Sequence, residues 1–446
     1  MKHKRYVINV LIWLALWQLL AVLIHNKILL AGPVQVIFAF FKNILRPDFA
    51  ATLFASLMRI LLGFLSGLIL GMFLAGVSHF RQTVRDFLAP LISVLKAIPV
   101  VSFVVLFLIW TGPAYLALYV TFLVSFPNIY VNTLAGLDAA DRDLLEMADV
   151  FNISLYNRLM FIYRRPLIDF LKPTIKVTLG MCFKSGVAAE VIGVPEPSIG
   201  NRIYMAKIYL ETADLLAWTL TLIILSVLSE KVIMWLIYNV LEVRLNRLMP
   251  HPTHAKSPAF GSVTTEYRFN KSFGDRKVLS DVSLKLEEGG RYCIMEPSGS
   301  GKTTMFRIIM GLETDDERGL IRPQAGSVSA VFQEDRLIPY LTVEQNIRLG
   351  AGEAFSTSLA GELISGSTPV SSCSGGMKRL VSIERAMNHP FNILLLDEPF
   401  TGLDEESKKK AASYILKHLK GRTLIMNSHD ADEAALLDWG IISPFS

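Results

Sequence analysis

Charge and cysteine are both scarce in this chain. Only 19% of its 446 residues are charged, 52% are hydrophobic, and the mean hydropathy is +0.43. Soluble domains carry charge on about a quarter of their residues, so a membrane-resident protein is the first expectation. The three cysteines, Cys182, Cys293 and Cys373, lie far apart and without metal-ligand spacing. That argues against a disulfide framework and against a cysteine zinc site. No internal repeat or low-complexity tract stands out. The net charge of +5 is mild. It fits basic loops on the inner membrane face better than a nucleic-acid surface, and no nucleic-acid partner is expected.

What is present in quantity is apolar sequence, concentrated before residue 240. Long apolar runs at 7–24, 52–77, 87–111, 114–134, 172–194 and 214–240 can each cross a hydrocarbon core roughly 30 Å thick. The expectation is therefore six transmembrane helices in an all-α polytopic domain over 1–240. The run Val7–Ile24 follows Lys2, Lys4 and Arg5 like a secretory signal. Its length and the spans after it make it a retained first helix. Basic residues in short loops (Arg81, Arg85, Arg142, Arg158, Arg164, Arg165) place both termini inside a cytoplasmic membrane, although Lys27, Lys42, Arg46, Arg202 and Lys207 blur the bias. Arg59, Lys184 and Glu190 fall inside spans, where ionisable groups are costly. Lys184, near the middle of the fifth, either faces the pathway and attracts an anionic solute or pairs within the bundle. Arg59 and Glu190, nearer span ends, read as structural.

The segment at 138–171 is long, charged and amphipathic, with Leu144, Leu145, Ala148, Phe151 and Ile153 among Asp141, Asp143, Glu146 and Asp149. Glu146-Met147-Ala148, Ile162 and Pro166 resemble the EAA coupling motif of binding-protein-dependent importers. The resemblance implies a cytoplasmic coupling helix that docks on an ATPase. Asn152 stands where glycine is usual, and Arg164-Arg165 replace part of the usual ending. Residues 1–240 are similar to nitrate/sulfonate/taurine-type permeases at Ser56-Leu57-Met58-Arg59, at Gly63-Phe64, Gly67 and Gly71, at Ala97-Ile98-Pro99-Val100 and at Ala189-Glu190. Glycines at four-residue spacing let helices approach closely in lipid.

Past 240 the composition changes. Pro250, Pro252 and Pro258 break helix, and 241–262 reads as a linker. From 263 to 446 an α/β nucleotide-binding domain is expected. Arg291–Met295 reads as a buried strand running into Glu296-Pro297-Ser298-Gly299-Ser300-Gly301-Lys302-Thr303-Thr304, with a helix following to about Met310. Strand, glycine-rich loop and helix are the context a phosphate-binding loop needs. Its N–H groups cradle phosphates, Lys302 supplies charge to the β/γ oxygens, and the Thr303 hydroxyl ligates Mg²⁺. Glu296 occupies the position of the usual first glycine. Ile393–Leu396 ends in Asp397 and Glu398, which read as the Mg²⁺ holder and the general base for the attacking water.

The whole segment 263–446 resembles the ABC ATPases. Ser374-Gly375-Gly376 is similar to their signature motif, with Cys373 and Met377 replacing the usual leucine and glutamine. The resemblance implies that this motif caps the γ-phosphate held by an opposing subunit. It also implies that Gln333 senses the metal, that Asp404 lies in the D-loop, that His429 contacts the γ-phosphate and that Phe273 stacks on adenine. The segment is short for the family. Loss of length is expected between Lys302 and Gln333, between Gln333 and Ser374, and after His429, with no room for a C-terminal regulatory domain. A homodimer follows from the cross-subunit signature, importing a small solute with an external solute-binding protein and Mg-ATP. An exporter half-transporter would need a membrane region of about 300 residues, and a non-transporting sensor is motivated by Glu296 and Met377. The solute itself is not legible; the resemblance and Lys184 lean toward an anion such as a sulfonate, taurine or nitrate.

Overall fold

The computed structural model describes residues 2–26, 28–244, 248–252, 265–297, 299–319, 328–352, 359–361, 364–437, 440–442 and 444. The contacts divide the chain into two compact units, Met1–Ala139 with Pro166–Arg244, and Ala140–Arg165 with Leu245–Ser446.

The first unit is helical: α1 (Lys2–Ile24), α2 (Pro33–Ile44), α3 (Phe49–Phe80), α4 (Gln82–Ala97), α5 (Val100–Thr111), α6 (Pro113–Asp138), the main part of α9 (Arg164–Gly193), α10 (Ile199–Ile208) and α11 (Thr212–Ile237). Gly63, Gly67 and Gly71 form the close-packing stripe of α3. A Cβ at Gly63 or Gly67 would collide with the Thr121 or Ser125 hydroxyl of α6, and one at Gly71 would sit 3.0 Å from Ile129. The backbones of α3 and α6 therefore meet where only hydrogen fits between them. Ile60, Phe64, Ile129, Phe183 and Trp218 fill the core beside that seam.

Among the described residues, four helices are long and apolar enough to cross a membrane: α1, α3, α6 and α11. The expectation of six continuous spans is corrected at two places. The run 87–111 is not one helix: α4 and α5 meet at a 98° bend. Pro99, the N-cap of α5, denies the chain an N–H there and pushes Ile98 into extended backbone. The run 172–194 lies in α9, which fails on composition because Lys172, Lys176, Lys184 and Glu190 interrupt it. At 30 residues α9 still has the length to cross. Three of its charges are compensated within the unit, Lys172 by Glu242, Lys176 by Glu230 at 3.1 Å and Glu190 by Arg59 at 3.3 Å.

The second unit joins the 140–165 segment to an α/β domain. The antiparallel pair β1 (Thr265–Phe273) and β2 (Arg276–Leu286) stands apart from a parallel five-stranded sheet. That sheet holds β3 (Arg291–Ile294), β4 (Val328–Val331), β5 (Ile393–Asp397), β6 (Thr423–Asn427) and β7 (Gly440–Ile442) in the order β4-β5-β6-β3-β7. Its helices are α12 (Lys302–Ile309), α13 (Val343–Arg348), α14 (Gly375–Asn388), α15 (Glu405–Leu419) and α16 (Ala431–Ala435). Leu394, Leu395, Leu396, Ile425 and Met426 are fully buried. Near-continuous apolar strands of this kind belong to a parallel sheet covered on both faces.

Within 140–165 the single amphipathic stretch expected from sequence is two helices. α7 (Arg142–Val150) is capped by Asp141, whose carboxylate accepts from the Asp143 amide at 2.9 Å, and α8 (Leu155–Arg158) is capped by Ser154. A π-helical turn, Leu159–Tyr163, leads from α8 into α9. Between α7 and α8, Asn152 holds φ +49°. Asparagine is, after glycine, among the residues that best tolerate this left-handed position.

Candidate functional site

The order of strands in the sheet brings three chain segments to one edge. β3, β6 and β5 are neighbours, and Asp397 pairs in register with Asn427. The phosphate-binding loop, the Asp397-Glu398 pair and the Ser428-His429 step therefore all leave the sheet at the carboxyl ends of adjacent strands. In open α/β sheets that is where ligands bind.

Gly299 and Gly301 adopt φ +85° and +102°. A Cβ at Gly301 would also lie 2.7 Å from Leu279, so only glycine fits. Glu296 is not among the positive-φ residues. A side chain in place of the usual first glycine therefore imposes no left-handed strain. Ser298 lies outside the described residues. Lys302 is 5% exposed and its ammonium donates to the Glu296 carbonyl and, at 3.0 Å, to the Pro297 carbonyl. Burial lowers its pKa, opposed by the carboxylates of Glu296, Glu398 and Asp397. The loop thus satisfies its own lysine, and a phosphate would have to take the place of those two carbonyls.

Thr303 and Thr304 follow Lys302 in the first turn of α12. The Thr303 hydroxyl lies 3.4 Å from Asp397 Oδ2, and the Asn427 amide donates to Asp397 Oδ1 at 2.7 Å. Burial pushes the Asp397 carboxyl upward, partly offset by the Asn427 bond. Thr303, Gln333 and Asp397 line one cavity of about 140 Å³. A buried acid with so few donors, opposite a hydroxyl and an amide, suits a hard cation with oxygen ligands, so the residues fit Mg²⁺. Glu398 stands at φ +49°, a sparsely populated conformation costing of order 1–3 kcal/mol that the fold holds through the Glu398 amide bond to the Asn427 carbonyl, 2.9 Å. His429 Nε2 is 3.3 Å from Glu398 Oε1.

Ser374 caps α14, accepting from the Met377 amide at 3.3 Å, and Gly375 and Gly376 form the first turn. Met377 packs against the cluster of Val343, Ile347, Val370 and Cys373. The two signature substitutions therefore serve local packing, while the serine and the backbone donors remain in place. Asp404 caps α15 through the Ser407 amide at 2.8 Å. Phe273, half exposed, ends β1 with the Lys271 ammonium 5.2 Å from its ring centroid. The structure thus places Lys302, Thr303, Gln333, Asp397, Glu398 and His429 around one strand edge. Ser374–Gly376, Asp404 and Phe273 occupy helix starts and a strand end, where each presents its polar or aromatic group outward.

Asn427, Arg379, Arg307 and Arg336, which no motif announced, complete the site, together with Phe151 of the amphipathic segment. Asn427 orients Asp397. Arg379 donates to the Phe332 and Gln333 carbonyls, both at 2.7 Å, and so fixes the Gln333 segment. Arg307 grips Glu146 with both guanidinium nitrogens, at 2.9 and 2.8 Å, and Arg336 adds a third bond at 2.9 Å. The Arg307 bonds hold the Glu146 carboxyl below its usual value, and Arg336 adds to the effect. Phe151 seats its ring beside Gly350, edge-on to His389 at 5.2 Å and 5.0 Å from the Arg385 guanidinium. Asp143, Arg307 and Arg336 line the same cavity as Thr303, Gln333 and Asp397. The docked segment and the nucleotide edge share one wall.

Comparison with known proteins matches the chain to two families. Residues 279–401 match the ABC transporter family, and residues 67–247 match the inner-membrane component of binding-protein-dependent transport systems. The aliphatic sulfonates import ATP-binding protein SsuB 1 of Pseudomonas savastanoi pv. phaseolicola is 40% identical over 177 residues, covering 37% of this chain and 74% of that protein. The chain belongs to the ABC transporter family. The SsuB protein of Delftia acidovorans is 31% identical over 40% of this chain and 78% of its own length. Among solved structures, the dimeric bacterial ABC transporter cassette MJ0796 is 25% identical, covering 40% of this chain and 92% of that one, with a TM-score of 0.34. The transporter is thus an integral membrane protein whose permease domain is fused to an ABC ATPase domain that binds and hydrolyses nucleotide.

Proposed function

We propose that this ABC transporter imports a small anionic solute, of the sulfonate class, across the cytoplasmic membrane as a homodimer fed by an external solute-binding protein. The observation that carries the reading is Glu146 clasped by Arg307 and Arg336 on the wall of the cavity that holds Thr303, Gln333 and Asp397. A segment inserted between two membrane helices ends on the arginines that face the nucleotide edge, which is the arrangement a mechanical link requires. The import direction is supported by this short coupling segment and by the inner-membrane family matched at 67–247. The solute class is supported by relatives named for aliphatic sulfonate import. Both termini and the ATPase unit face the cytoplasm, where ATP is. Six crossings satisfy this, with α9 as the fifth.

In the proposed roles, Phe273 stacks on the adenine, while Gly299, Ser300, Gly301 and Lys302 hold phosphates with the amides of Thr303 and Thr304. Ser298 is assigned to the same loop by its place in the motif. Thr303, Gln333 and Asp397 would hold Mg²⁺, which supplies charge neutralisation for the leaving phosphate. Glu398 takes the proton from the attacking water, and His429, beside it, orients the γ-phosphate. Ser374, Gly375, Gly376 and Asp404 face the second copy and complete its site. The test is reconstitution of the full chain in liposomes with candidate binding proteins. ATP hydrolysis that rises only with a sulfonate-loaded binding protein, accompanied by inward accumulation, supports the reading. Hydrolysis indifferent to every loaded binding protein removes it.

A further inference from the structure

We propose that the break between α4 and α5 is the solute site of the membrane unit, with Lys96 as its anion-recognising residue. This rests on the import reading above. Lys96 lies in the last turn of α4, two residues before the bend. Its side chain lines a cavity of about 180 Å³ together with Phe103, Val124, Pro127 and Asn128. By count along α6, Val120 to Asn128 occupy the middle of the helix, so the cavity lies near the bilayer midplane. Among the described residues no acceptor reaches the Lys96 ammonium or that of Lys184 in α9, whereas Lys172 and Lys176 each find a glutamate.

Three physical points converge on this place. An ammonium at mid-membrane without a partner is costly and is kept where it meets a cavity or a charged ligand. Irregular backbone at that depth is tolerated where it lines such a space. The first-turn amides of α5 have no capping side chain and open at the same break, so two sources of positive potential face one cavity with an amide side chain, Asn128, on its wall. The α4 C-terminus offsets part of the lysine charge but offers no counter-ion. A small anion with a short apolar tail matches both the cation and the Phe103 and Val124 walls.

Chemical rescue tests this in the complete transporter. Uptake of radiolabelled butanesulfonate is measured in cells expressing the full chain with its binding protein, as wild type, Lys96→Cys, Lys96→Arg and Lys184→Gln. Loss of one charge-assisted contact should lower uptake at sub-saturating solute ~10- to 100-fold in Lys96→Cys, with Lys96→Arg retaining most of it. Treating Lys96→Cys with a thiol reagent that adds an aminoethyl group should restore uptake, and one adding a sulfonatoethyl group should not. The comparison is made on the same folded protein before and after labelling. Wild-type rates in Lys96→Cys, equal rescue by both reagents, or loss confined to Lys184→Gln would each overturn the site while leaving the import reading standing. A wild type that accumulates no organic anion would remove the import reading itself, and this site with it.

Discussion

Glu146 in the ATPase unit and Glu190 in the membrane unit are both carboxylates withdrawn from water, and they are held by different chemistry. Glu146 receives three guanidinium bonds from Arg307 and Arg336. Glu190, fully buried, receives one guanidinium bond from Arg59 at 3.3 Å, the Ser56 hydroxyl at 2.7 Å and the Gly200 amide at 3.2 Å. Where water is near, opposed full charges are affordable and give docking its directionality. Inside the membrane unit, neutral donors share the work, and the Ser56 hydroxyl also accepts from the Ile199 amide, which ties α3 to the start of α10. The first glutamate joins parts that must move together; the second fixes a helix bundle.

The largest effect expected in the ATPase unit is at Glu398. Glu398→Gln should lower hydrolysis ~10²- to 10⁴-fold while leaving nucleotide binding in place; single-turnover kinetics beside equilibrium binding would measure both, and undiminished turnover would remove Glu398 as the base. Next comes the docking glutamate. Glu146→Ala removes all three guanidinium bonds, leaves Arg336 only Asp143 at 3.1 Å, and should cost about 1–3 kcal/mol of docking. Uptake should fall while hydrolysis continues without response to solute. The Glu146 carboxyl is depressed by Arg307 and Arg336, so its contribution is complete above the usual carboxylate range and disappears as pH falls through the lowered value. Hydrogen exchange of 142–163 followed into acid should show that loss.

The structural glutamate should matter less to coupling and more to melting. Glu190→Gln keeps acceptors for Ser56 and Gly200 but turns a donor toward Arg59, costing about 1–2 kcal/mol. Thermal unfolding in detergent would register it, with the ratio of transport to hydrolysis unchanged; a coupling defect as deep as that of Glu146→Ala would erase the contrast between the two. The smallest effect is at the turn between α7 and α8. Asn152→Gly should be neutral or stabilising by a few tenths of a kcal/mol, and Asn152→Val destabilising by about 1–2 kcal/mol, because only the former accepts φ +49° freely.

The nucleotide edge could be read along the chain because its chemistry is built from neighbours: Gly299 to Thr304 form one continuous cradle, and Asp397-Glu398 one strand tip. Backbone donors for phosphates come only from consecutive residues, so the motif carries its own geometry. The partners of those groups could not be read. Arg307 and Arg336 are 161 and 190 residues from Glu146, and Asn427 is 30 from Asp397. Nothing in local pattern selects one arginine among many when the pairing is made by packing.

Composition alone determined that the first part of the chain enters lipid, since hydrophobic transfer depends on totals and not on order. The order of residues also determined that α3 would press against another helix, because three glycines one turn apart leave a groove. Only the tertiary structure decided that 87–111 is bent by 98° and that Lys96 sits at the bend. A sum over an apolar window is blind to one proline. It likewise decided that Ala140–Arg165 folds with the ATPase unit and not with the helices it interrupts. Burial of Met147, Phe151 and Phe161 sets that allegiance, and burial is a property of neighbours in space.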